Sequence, residues 1–409
     1  MIATVKGTRD ILPPESFVWN RVEAVAREVF HSFGYGEIRT PLMEPTELFT
    51  RGIGEDTDIV NKEMYTFPDK KGRSLTLRPE GTAPVARAYI SNNMQTLPHP
   101  LRLYYIGPMF RYERPQKGRY RQFFQIGAEI LGPEEPAADV EMFSLLVDFL
   151  NRLEFTDLAV GLNSVGCEAC RPGYRAALQA VLQEHKGELC VDCVRRIDTN
   201  PLRVLDCKEA GCQPVKKLLP SIGGHLCETC SAHLRFVEEG LNALKIRFEL
   251  NDRLVRGLDY YTRTVFEVVS GRLGAQNAIC GGGRYDRLIS DLGGPKVPGI
   301  GFAIGQDRLI EILPESFKAK VKPGLDYFIV PVSPNELLPA FELAAKLREQ
   351  GRSAGVALDG KGLKKGLKFA AATGAVSALI LGEEEIKNGE VVVKNLATGE
   401  QVKKKIDEL

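Results

Sequence analysis

The chain has 409 residues, of which 44% are apolar and 26% are charged, the composition of an ordinary globular protein. A single hydrophobic core stops growing at about 250–300 residues, so we expect two or three domains. With a net charge of +1, the protein as a whole does not carry the positive charge that would attract nucleic acid. Any RNA-binding site must therefore be a local basic patch.

The N-terminal segment has no apolar stretch or cleavage signal, and no apolar run is long enough to predict a membrane span. We therefore expect a cytoplasmic protein. In that reducing compartment the nine cysteines are not expected to form a disulfide framework.

The first third of the chain predicts alternating helices and extended segments. Apolar spacing predicts a helix over residues 15–33, ending at Gly34. Residues 36–45 contain two prolines, which suit an edge or interface strand because proline cannot donate to a ladder. Residues 75–93 predict an extended segment and then a helix, and residues 139–153 predict an amphipathic helix.

A basic loop lies between two aromatic, β-branched runs. Residues 101–110 and 123–131 predict the strands of a long hairpin. Five cations lie near its tip: Arg111, Arg114, Lys117, Arg119 and Arg121. Because guanidinium groups match phosphate oxygens, the loop predicts a site for a polyphosphate, an RNA end or both. The alternative is a solvated basic turn.

Eight cysteines form a distinct block between residues 167 and 230. They fall into four close pairs: Cys167/Cys170, Cys190/Cys193, Cys207/Cys212 and Cys227/Cys230. Such spacing predicts two structural Zn²⁺ sites remote from the active site, with unrelated buried thiols as the alternative. The first two pairs, separated by a predicted helix over 174–185, and the last two pairs would each hold an ion. Crossed pairing remains open.

Three segments beyond the cysteine block place polar groups or glycines within apolar sequence. Residues 251–267 carry Arg256 and Asp259 beside paired tyrosines, with strand-like stretches at 254–256 and 265–269. Buried charge needs partners, so these residues indicate a site, unless they form a surface ion pair on an edge strand.

The other two segments are rich in glycine. The run within 279–286 lets the backbone approach a ligand, with a simple turn as the alternative. Alternating glycines over 299–305 predict a strand whose surface is flat enough for a planar ring to lie against it. Arg308 lies near the start of a helix predicted over 306–313. Close packing of strand on helix is the alternative there.

The C-terminal region predicts a small α/β unit after a linker at 318–323. Strands are predicted at 327–332 and 378–381, with a helix over 336–350 and a segment rich in glycine and lysine over 360–369.

In this order the segments resemble the motifs of class II aminoacyl-tRNA synthetases. Residues 37–41 are similar to motif 1, 110–123 to motif 2, and 299–308 to motif 3, which usually has Glu where Asp307 stands. The closer resemblance is to the histidyl-tRNA synthetase family, carried by residues 78–82, 113–119, 254–261 and 282–286. The resemblance extends from residues 6–10 to the C-terminal unit, and the cysteine block is the part of the chain that varies within the family.

This resemblance implies an α+β fold with a class II antiparallel sheet core and flanking helices. The catalytic domain would comprise residues 1–165 and 250–320, interrupted by a Cys-rich domain at 166–249. An α/β anticodon-binding domain would follow at 321–409. The motif 1 strand implies a homodimer.

The resemblance also implies a histidine–tRNA ligase that uses ATP and Mg²⁺, with L-histidine and a histidine-specific tRNA as substrates. The catalytic residues would be Arg111 and Arg256. The ATP-binding residues would be Arg111, Arg119, Phe123 and Arg308. The histidine-binding residues would be Glu80, Thr82, Gln125, Glu129, Arg256, Tyr260, Tyr261 and Tyr285.

Two basic regions would contact the tRNA. Arg114 and Gln116 at the hairpin tip would read the acceptor end. The C-terminal lysines would meet phosphates of the anticodon loop, with a solvated helix face as the alternative; they are Lys361, Lys364, Lys365 and Lys368.

Three other functions fit parts of this pattern. One is a catalytically inactive paralogue that binds histidine as a regulatory subunit, although Arg111, Arg256 and Arg308 are all kept. Another is a different class IIa synthetase, against which the segment 256–261 argues. The third is a zinc-dependent RNA-binding protein without catalysis.

Overall fold

The computed structural model describes residues 2–54, 57–114, 118–270, 278–321, 324–358 and 362–409. It divides into two compact units. One unit comprises Met1–Asp10 and Trp19–Lys318, and the other comprises Ile11–Val18 and Ala319–Leu409. No helix in these described ranges is long and apolar enough to cross a membrane.

An eight-stranded sheet forms the centre of the larger unit, antiparallel in its middle and parallel at its two edges. The strands in order across the sheet are β1 (Gly36–Glu37), β5 (Leu101–Phe110), β6 (Gln122–Leu131), β11 (Gly299–Gly305), β10 (Ala278–Arg284), β9 (Thr262–Ser270), β7 (Leu158–Ser164) and β8 (Phe248–Leu250). The predicted hairpin is β5 and β6, with Leu101 opposite Leu131 and Phe110 opposite Gln122.

Helices flank this sheet, and a small antiparallel sheet lies beside it. The helices outside the cysteine block are α1 (Glu15–Ser32), α2 (Thr46–Ile53), α3 (Thr82–Ser91), α4 (Ala137–Arg152), α9 (Leu288–Asp291), α10 (Gln306–Glu311) and α11 (Glu315–Lys320). The small sheet has the order β2 (Met43–Pro45), β4 (Ser74–Leu77) and β3 (Tyr65–Pro68).

One face of the large sheet is an aromatic core under α1 and α4. The ring centroid of Phe30 on α1 lies 4.8 Å from that of Tyr104 and 6.0 Å from that of Phe149. Phe143 on α4 lies 4.4 Å from Phe266 on β9. Successive strand residues face opposite ways. The neighbours of the core residues, such as Tyr105 beside Tyr104, therefore face the other side, where the cavity described below opens.

The cysteine block lies between β7 and β8 in the sequence and has a core of its own. Its helices are α5 (Arg171–Glu184), α6 (Val191–Thr199), α7 (Gln213–Leu218) and α8 (Glu228–Ala243). Tyr174, Leu178 and Leu182 of α5 are buried against Ile197 of α6, so apolar spacing on one helix face builds this core. The helix predicted over 174–185 is confirmed.

The smaller unit contains a five-stranded sheet with helices, as the C-terminal pattern predicts. Its strands in order are β13 (Ala354–Val356), β12 (Tyr327–Pro331), β14 (Ser377–Leu381), β15 (Glu390–Asn395) and β16 (Gln401–Lys405). Its helices are α12 (Leu337–Glu349), α13 (Leu363–Ala372) and α14 (Glu383–Asn388). Ser333 and Glu336 form a capping box before α12.

Two local predictions are wrong. Residues 254–256 form a loop rather than a strand, because side chains from elsewhere bind the loop's backbone carbonyls. The glycine run forms the central strand β10, which excludes the alternative of a simple turn. The linker predicted at 318–323 begins inside α11, and Lys322 and Pro323 lie outside the described residues.

Candidate active site

A cavity of about 460 Å³ opens over the centre of the large sheet. Most of the residues that the sequence predicts for substrate binding line it together: Glu80, Thr82, Arg111, Arg119, Phe123, Gln125, Arg256, Tyr260, Tyr261, Tyr285 and Arg308. They come from the loop between β5 and β6, from β6, from the N-terminus of α3, from the loop before β9, from the end of β10 and from the start of α10. The sheet topology therefore brings distant segments to one site.

Glu129 lies just beneath the cavity floor and is fully buried. Its Oε1 accepts hydrogen bonds from Thr82 Oγ1 at 2.8 Å and Tyr105 Oη at 3.4 Å, and its Oε2 accepts one from Tyr285 Oη at 2.5 Å. Burial raises the pKa of Glu129 to about 8. A Cβ at Gly301 would lie 1.6 Å from Oε2, so this neighbour must be glycine.

A second buried carboxylate, Glu80, lies at the N-terminus of α3. It accepts hydrogen bonds from the amides of Thr82 at 2.7 Å and Ala83 at 2.8 Å, and from Tyr260 Oη at 3.4 Å. Burial raises the pKa of Glu80 above its usual value although these amides oppose the shift. The two carboxylates flank Thr82, and together they form an acidic end of the cavity.

Tyrosine rings and one amide complete this acidic end. The ring centroid of Tyr260 lies 4.7 Å from that of Tyr261 and 5.8 Å from that of Tyr285. Burial raises the pKa of Tyr261 to about 12, so its hydroxyl remains a donor at neutral pH. Gln125 Oε1 is buried without a hydrogen-bond partner in the described structure. A small cationic or N–H-bearing ligand would satisfy that oxygen.

The opposite end of the cavity is rich in arginine. Arg111 donates to the carbonyl of Pro79 at 2.9 Å, and its guanidinium lies 5.4 Å from the ring centroid of Phe123. Arg119 donates to Glu113 at 2.7 Å, and Arg308 donates to the carbonyl of Ala278 at 2.7 Å. These bonds aim three fixed charges at one region, an arrangement suited to polyphosphate.

Arg256 lies between the two ends. It donates to Glu267 Oε2 at 2.7 Å, and its guanidinium packs directly on Gly281. A Cβ at Gly281 would lie 1.7 Å from Arg256 Nη2. The glycine run thus makes room for the Arg256 side chain.

Asp307 replaces the glutamate that is usual in motif 3 and is buried at the start of α10. Its Oδ2 accepts from the amide of Phe124 at 2.9 Å, and its Oδ1 lies 3.5 Å from Arg9 Nη2. The shorter carboxylate therefore still ties α10 to the hairpin strand β6, next to Phe123.

The eight paired cysteines form two clusters, and within each cluster the sulfur atoms all lie within 4.8 Å of one another. The outer cluster contains Cys167, Cys170, Cys227 and Cys230, and the inner cluster contains Cys190, Cys193, Cys207 and Cys212. Of the two groupings that the sequence left open, the structure brings together the sulfur atoms of the crossed one. The starts of α5 and α8 meet, which brings the amide of Cys227 within 3.0 Å of Cys170 Sγ.

The inner cluster is not remote from the cavity. Asp206 and Lys208, the two neighbours of Cys207, both line it. Sequence reasoning missed these two residues and also Glu113 and Glu267. The approach of the inner cluster to the cavity depends on tertiary packing, which spacing within the cysteine block does not encode.

Of the two predicted contacts with the tRNA acceptor end, Arg114 is exposed and is not part of the cavity lining. Gln116 lies outside the described residues. On α13, Lys364, Lys365 and Lys368 are exposed, whereas Lys361 falls outside the described residues.

The antiparallel sheet, the basic hairpin and the cavity with arginine at one end define a class II aminoacyl-tRNA synthetase. Comparison with known proteins gives the family. Residues 7–309 match the model of histidyl-tRNA synthetase, and residues 326–409 match that of an anticodon binding domain. The chain belongs to the histidyl-tRNA synthetase family.

Relatives match over the whole length. The chain is 51% identical to a histidine–tRNA ligase of Solibacter usitatus, covering 100% of this chain and 98% of the relative. It is 48% identical to a histidine–tRNA ligase of Halothermothrix orenii, covering 97% and 95%. The apo histidyl-tRNA synthetase of Staphylococcus aureus has a TM-score of 0.83 at 37% identity, covering 100% of this chain and 98% of that one.

Proposed function

We propose that the chain is a histidine–tRNA ligase that works in two steps at the cavity over the large sheet. L-histidine and ATP first give histidyl-adenylate and pyrophosphate. The histidyl group then passes to the 3′ end of its tRNA. The observation that carries this proposal is that both kinds of lining meet in one cavity. Its acidic, tyrosine-lined end lies opposite three arginines, and Arg256 lies between the two ends.

The acidic end suits histidine. The α-ammonium group would bind Glu80, Thr82 and the buried, unpartnered oxygen of Gln125. The imidazole would lie against the tyrosines, with Glu129 as acceptor and the Tyr261 hydroxyl as donor for its two nitrogens. Tyr260 and Tyr285 would enclose it. A site that hydrogen-bonds both ring nitrogens rejects apolar analogues because its own groups would be left unpaired.

The arginine end suits ATP. Arg111 would hold the α-phosphate, Arg119 and Arg308 would hold the outer phosphates, and the Phe123 ring would stack on adenine. Carboxylates of the kind that Mg²⁺ prefers lie in the same wall at Glu113 and Glu267, and they fit an ion bound to phosphate oxygens. When bound, Mg²⁺ would neutralise charge on the pyrophosphate.

Fixed positive charge is what this reaction needs. A carboxylate oxygen of histidine attacks the α-phosphorus, and the bond from that phosphorus to the pyrophosphate oxygen breaks. Both reactants are anions, so Arg256 and Arg111 lower the barrier by alignment and by charge that is already in place. In the second step a terminal ribose hydroxyl attacks the histidyl carbonyl, and AMP leaves.

Two Zn²⁺ ions fit the cysteine clusters. Each cluster offers four sulfur atoms within 4.8 Å of one another, a set that matches a closed Cys₄ site. Burial raises the pKa of the Cys193 and Cys230 thiols, which disfavours the free thiolates. A bound cation would supply the missing compensating charge.

Family membership supports the remaining assignments that we propose. The proposed domains are a catalytic domain at residues 1–165 and 250–320, a Cys-rich insertion at 166–249, and an anticodon-binding domain at 321–409. The chain acts as a cytoplasmic homodimer, with Arg114 and Gln116 near the acceptor end of the tRNA. The exposed lysines of α13 face the anticodon loop.

A charging assay tests the proposal against the inactive regulatory paralogue. The enzyme should attach labelled histidine to a histidine-accepting tRNA transcript in the presence of ATP and Mg²⁺. A matched transcript for another amino acid is the control. Histidine binding without any charging would favour the regulatory alternative.

A further inference from the structure

The loop from Leu254 to Tyr261 carries the proposed catalytic arginine, yet it lies outside the sheet. It connects the region after β8 to β9 and presents Arg256, Tyr260 and Tyr261 to the cavity. A loop that positions three site residues needs restraints from elsewhere. The contacts on its backbone show where those restraints come from.

Arg203 of the cysteine block binds this loop with its whole guanidinium. Its Nη1 donates to the carbonyl of Arg256 at 3.1 Å and its Nη2 to the carbonyl of Gly257 at 2.6 Å. Its Nε lies 3.3 Å from Asp259 Oδ1. The side chain is 8% exposed. The bonded atoms thus include the backbone of the proposed catalytic residue itself.

A second contact reaches the other end of the loop. Arg171 donates to the carbonyl of Tyr261 and, at 3.4 Å, to that of Val165. Val255, within the loop, packs against the apolar core of the cysteine block. The block therefore contacts the loop at its beginning, middle and end.

Both arginines are adjacent to the cysteine clusters. Arg171 directly follows Cys170 of the outer cluster. Arg203 lies on the 3₁₀ turn Pro201–Asp206, which ends at Cys207 of the inner cluster. Asp206 and Lys208, on either side of that cysteine, line the cavity. An ion that fixes Cys207 would therefore fix the turn that holds Arg203.

We propose that a metal ion in the inner cluster holds Arg203 in place, and that Arg203 is a positioning residue for Arg256. The inference rests on the proposed histidine activation, which it deepens by making the Cys-rich insertion part of the catalytic apparatus. Arg203 touches no substrate in this account. It acts by setting the backbone from which the Arg256 side chain reaches the reacting groups.

The test compares Arg203→Met and Arg203→Lys with a matched control, Arg253→Met. Arg253 is exposed and also links the two regions, with donor bonds of 3.0 Å to the carbonyls of Lys216 and Lys217, outside the loop. Misplacing a reacting group by about 1 Å costs about 10²-fold in rate. Arg203→Met should therefore slow single-turnover adenylate formation about 10²-fold, while the KM for ATP stays within about three-fold.

The Lys and control variants separate positioning from folding. Arg203→Lys keeps one donor and the charge, so its rate should fall between those of the wild type and Arg203→Met. Arg253→Met should retain the wild-type rate. Hydrogen exchange over residues 254–261 should rise in Arg203→Met and stay unchanged in Arg253→Met. Equal rates in Arg203→Met and Arg253→Met would overturn the proposal, and so would unchanged exchange in this loop.

A double-mutant cycle with Cys190→Ser tests the role of the metal. Cys190→Ser should lower zinc content by one ion per chain and reproduce both the slower adenylation and the faster loop exchange. If the metal acts through Arg203, adding Arg203→Met should cost less than about three-fold more, because the two changes are not independent. If the rate of the double variant falls by the product of the two single-variant losses, Cys190 and Arg203 are not coupled and this part of the proposal is wrong. A wild-type enzyme that activates no histidine would refute the proposed function instead, and the loop-exchange data would still test whether Arg203 restrains residues 254–261.

Discussion

Glu129→Gln should uncouple histidine recognition from ATP binding. The buried carboxyl group would bond the imidazole, and weakening a buried hydrogen bond so that its partner is left unsatisfied costs about 1–3 kcal/mol. At 1.4 kcal/mol per factor of ten, the KM for histidine should rise roughly 10- to 100-fold. The KM for ATP should change less than about two-fold, since the arginine end of the cavity is untouched.

The same variant should remove a pH dependence of stability. Burial raises the pKa of Glu129 from 4.5 to about 8, a shift equivalent to at most about 5 kcal/mol at 1.36 kcal/mol per unit. Because the folded pKa is raised, this contribution is present below pH 4.5 and is lost as the pH rises towards 8. Glutamine is neutral throughout, so the ligand-free variant should gain thermal stability relative to the wild type between pH 5 and 8.

Steady-state pyrophosphate exchange at varied histidine and ATP gives the two KM values, and thermal unfolding of ligand-free enzyme gives the pH profile. Glu141→Gln is the matched control, since Glu141 pairs with Arg102 at 2.6 Å and is absent from the cavity lining. Equal increases in both KM values would place Glu129 outside the amino-acid site. A stability difference independent of pH would refute its raised pKa.

Four further predictions follow from the site. Arg256→Ala should slow adenylate formation about 10²–10³-fold while weakening histidine binding less, and a rate within a few-fold of wild type would refute its role. Phe123→Leu should raise the KM for ATP several-fold but leave that for histidine unchanged, because base stacking is worth about 1–3 kcal/mol. Arg114→Ala should slow tRNA charging without affecting pyrophosphate exchange, and an equal loss in both assays would place it in the cavity. Elemental analysis should find about two zinc ions per chain, whereas metal-free protein with eight freely titrating thiols would contradict the cluster assignment.

The sequence predicted the parts of the fold whose patterns are local. The hairpin of β5 and β6, the helices α1, α4 and α5, and the α/β order of the smaller unit each have a periodicity that tertiary context does not override. Most of the residues proposed for the site lie in compact motifs, and the sheet brings those motifs together around one cavity.

The strand wrongly predicted at 254–256 and the unforeseen position of the cysteine clusters share one physical cause, which is long-range contact. Residues 254–256 have strand-like composition, but the side chains of Arg203 and Asn163 donate hydrogen bonds to backbone carbonyls of that loop. The cysteine pairs look consecutive in sequence, whereas the starts of α5 and α8 meet in space. The position of the inner cluster beside the cavity depends on the same packing.

The most direct test of the central claim is amino-acid-dependent ATP–pyrophosphate exchange, measured with each of the twenty standard amino acids in turn. Exchange should occur with histidine, and its efficiency should be at least about 10⁴-fold lower with apolar analogues that cannot bond Glu129 and Tyr261. Equal exchange with another amino acid, or none with histidine, would contradict the proposed specificity.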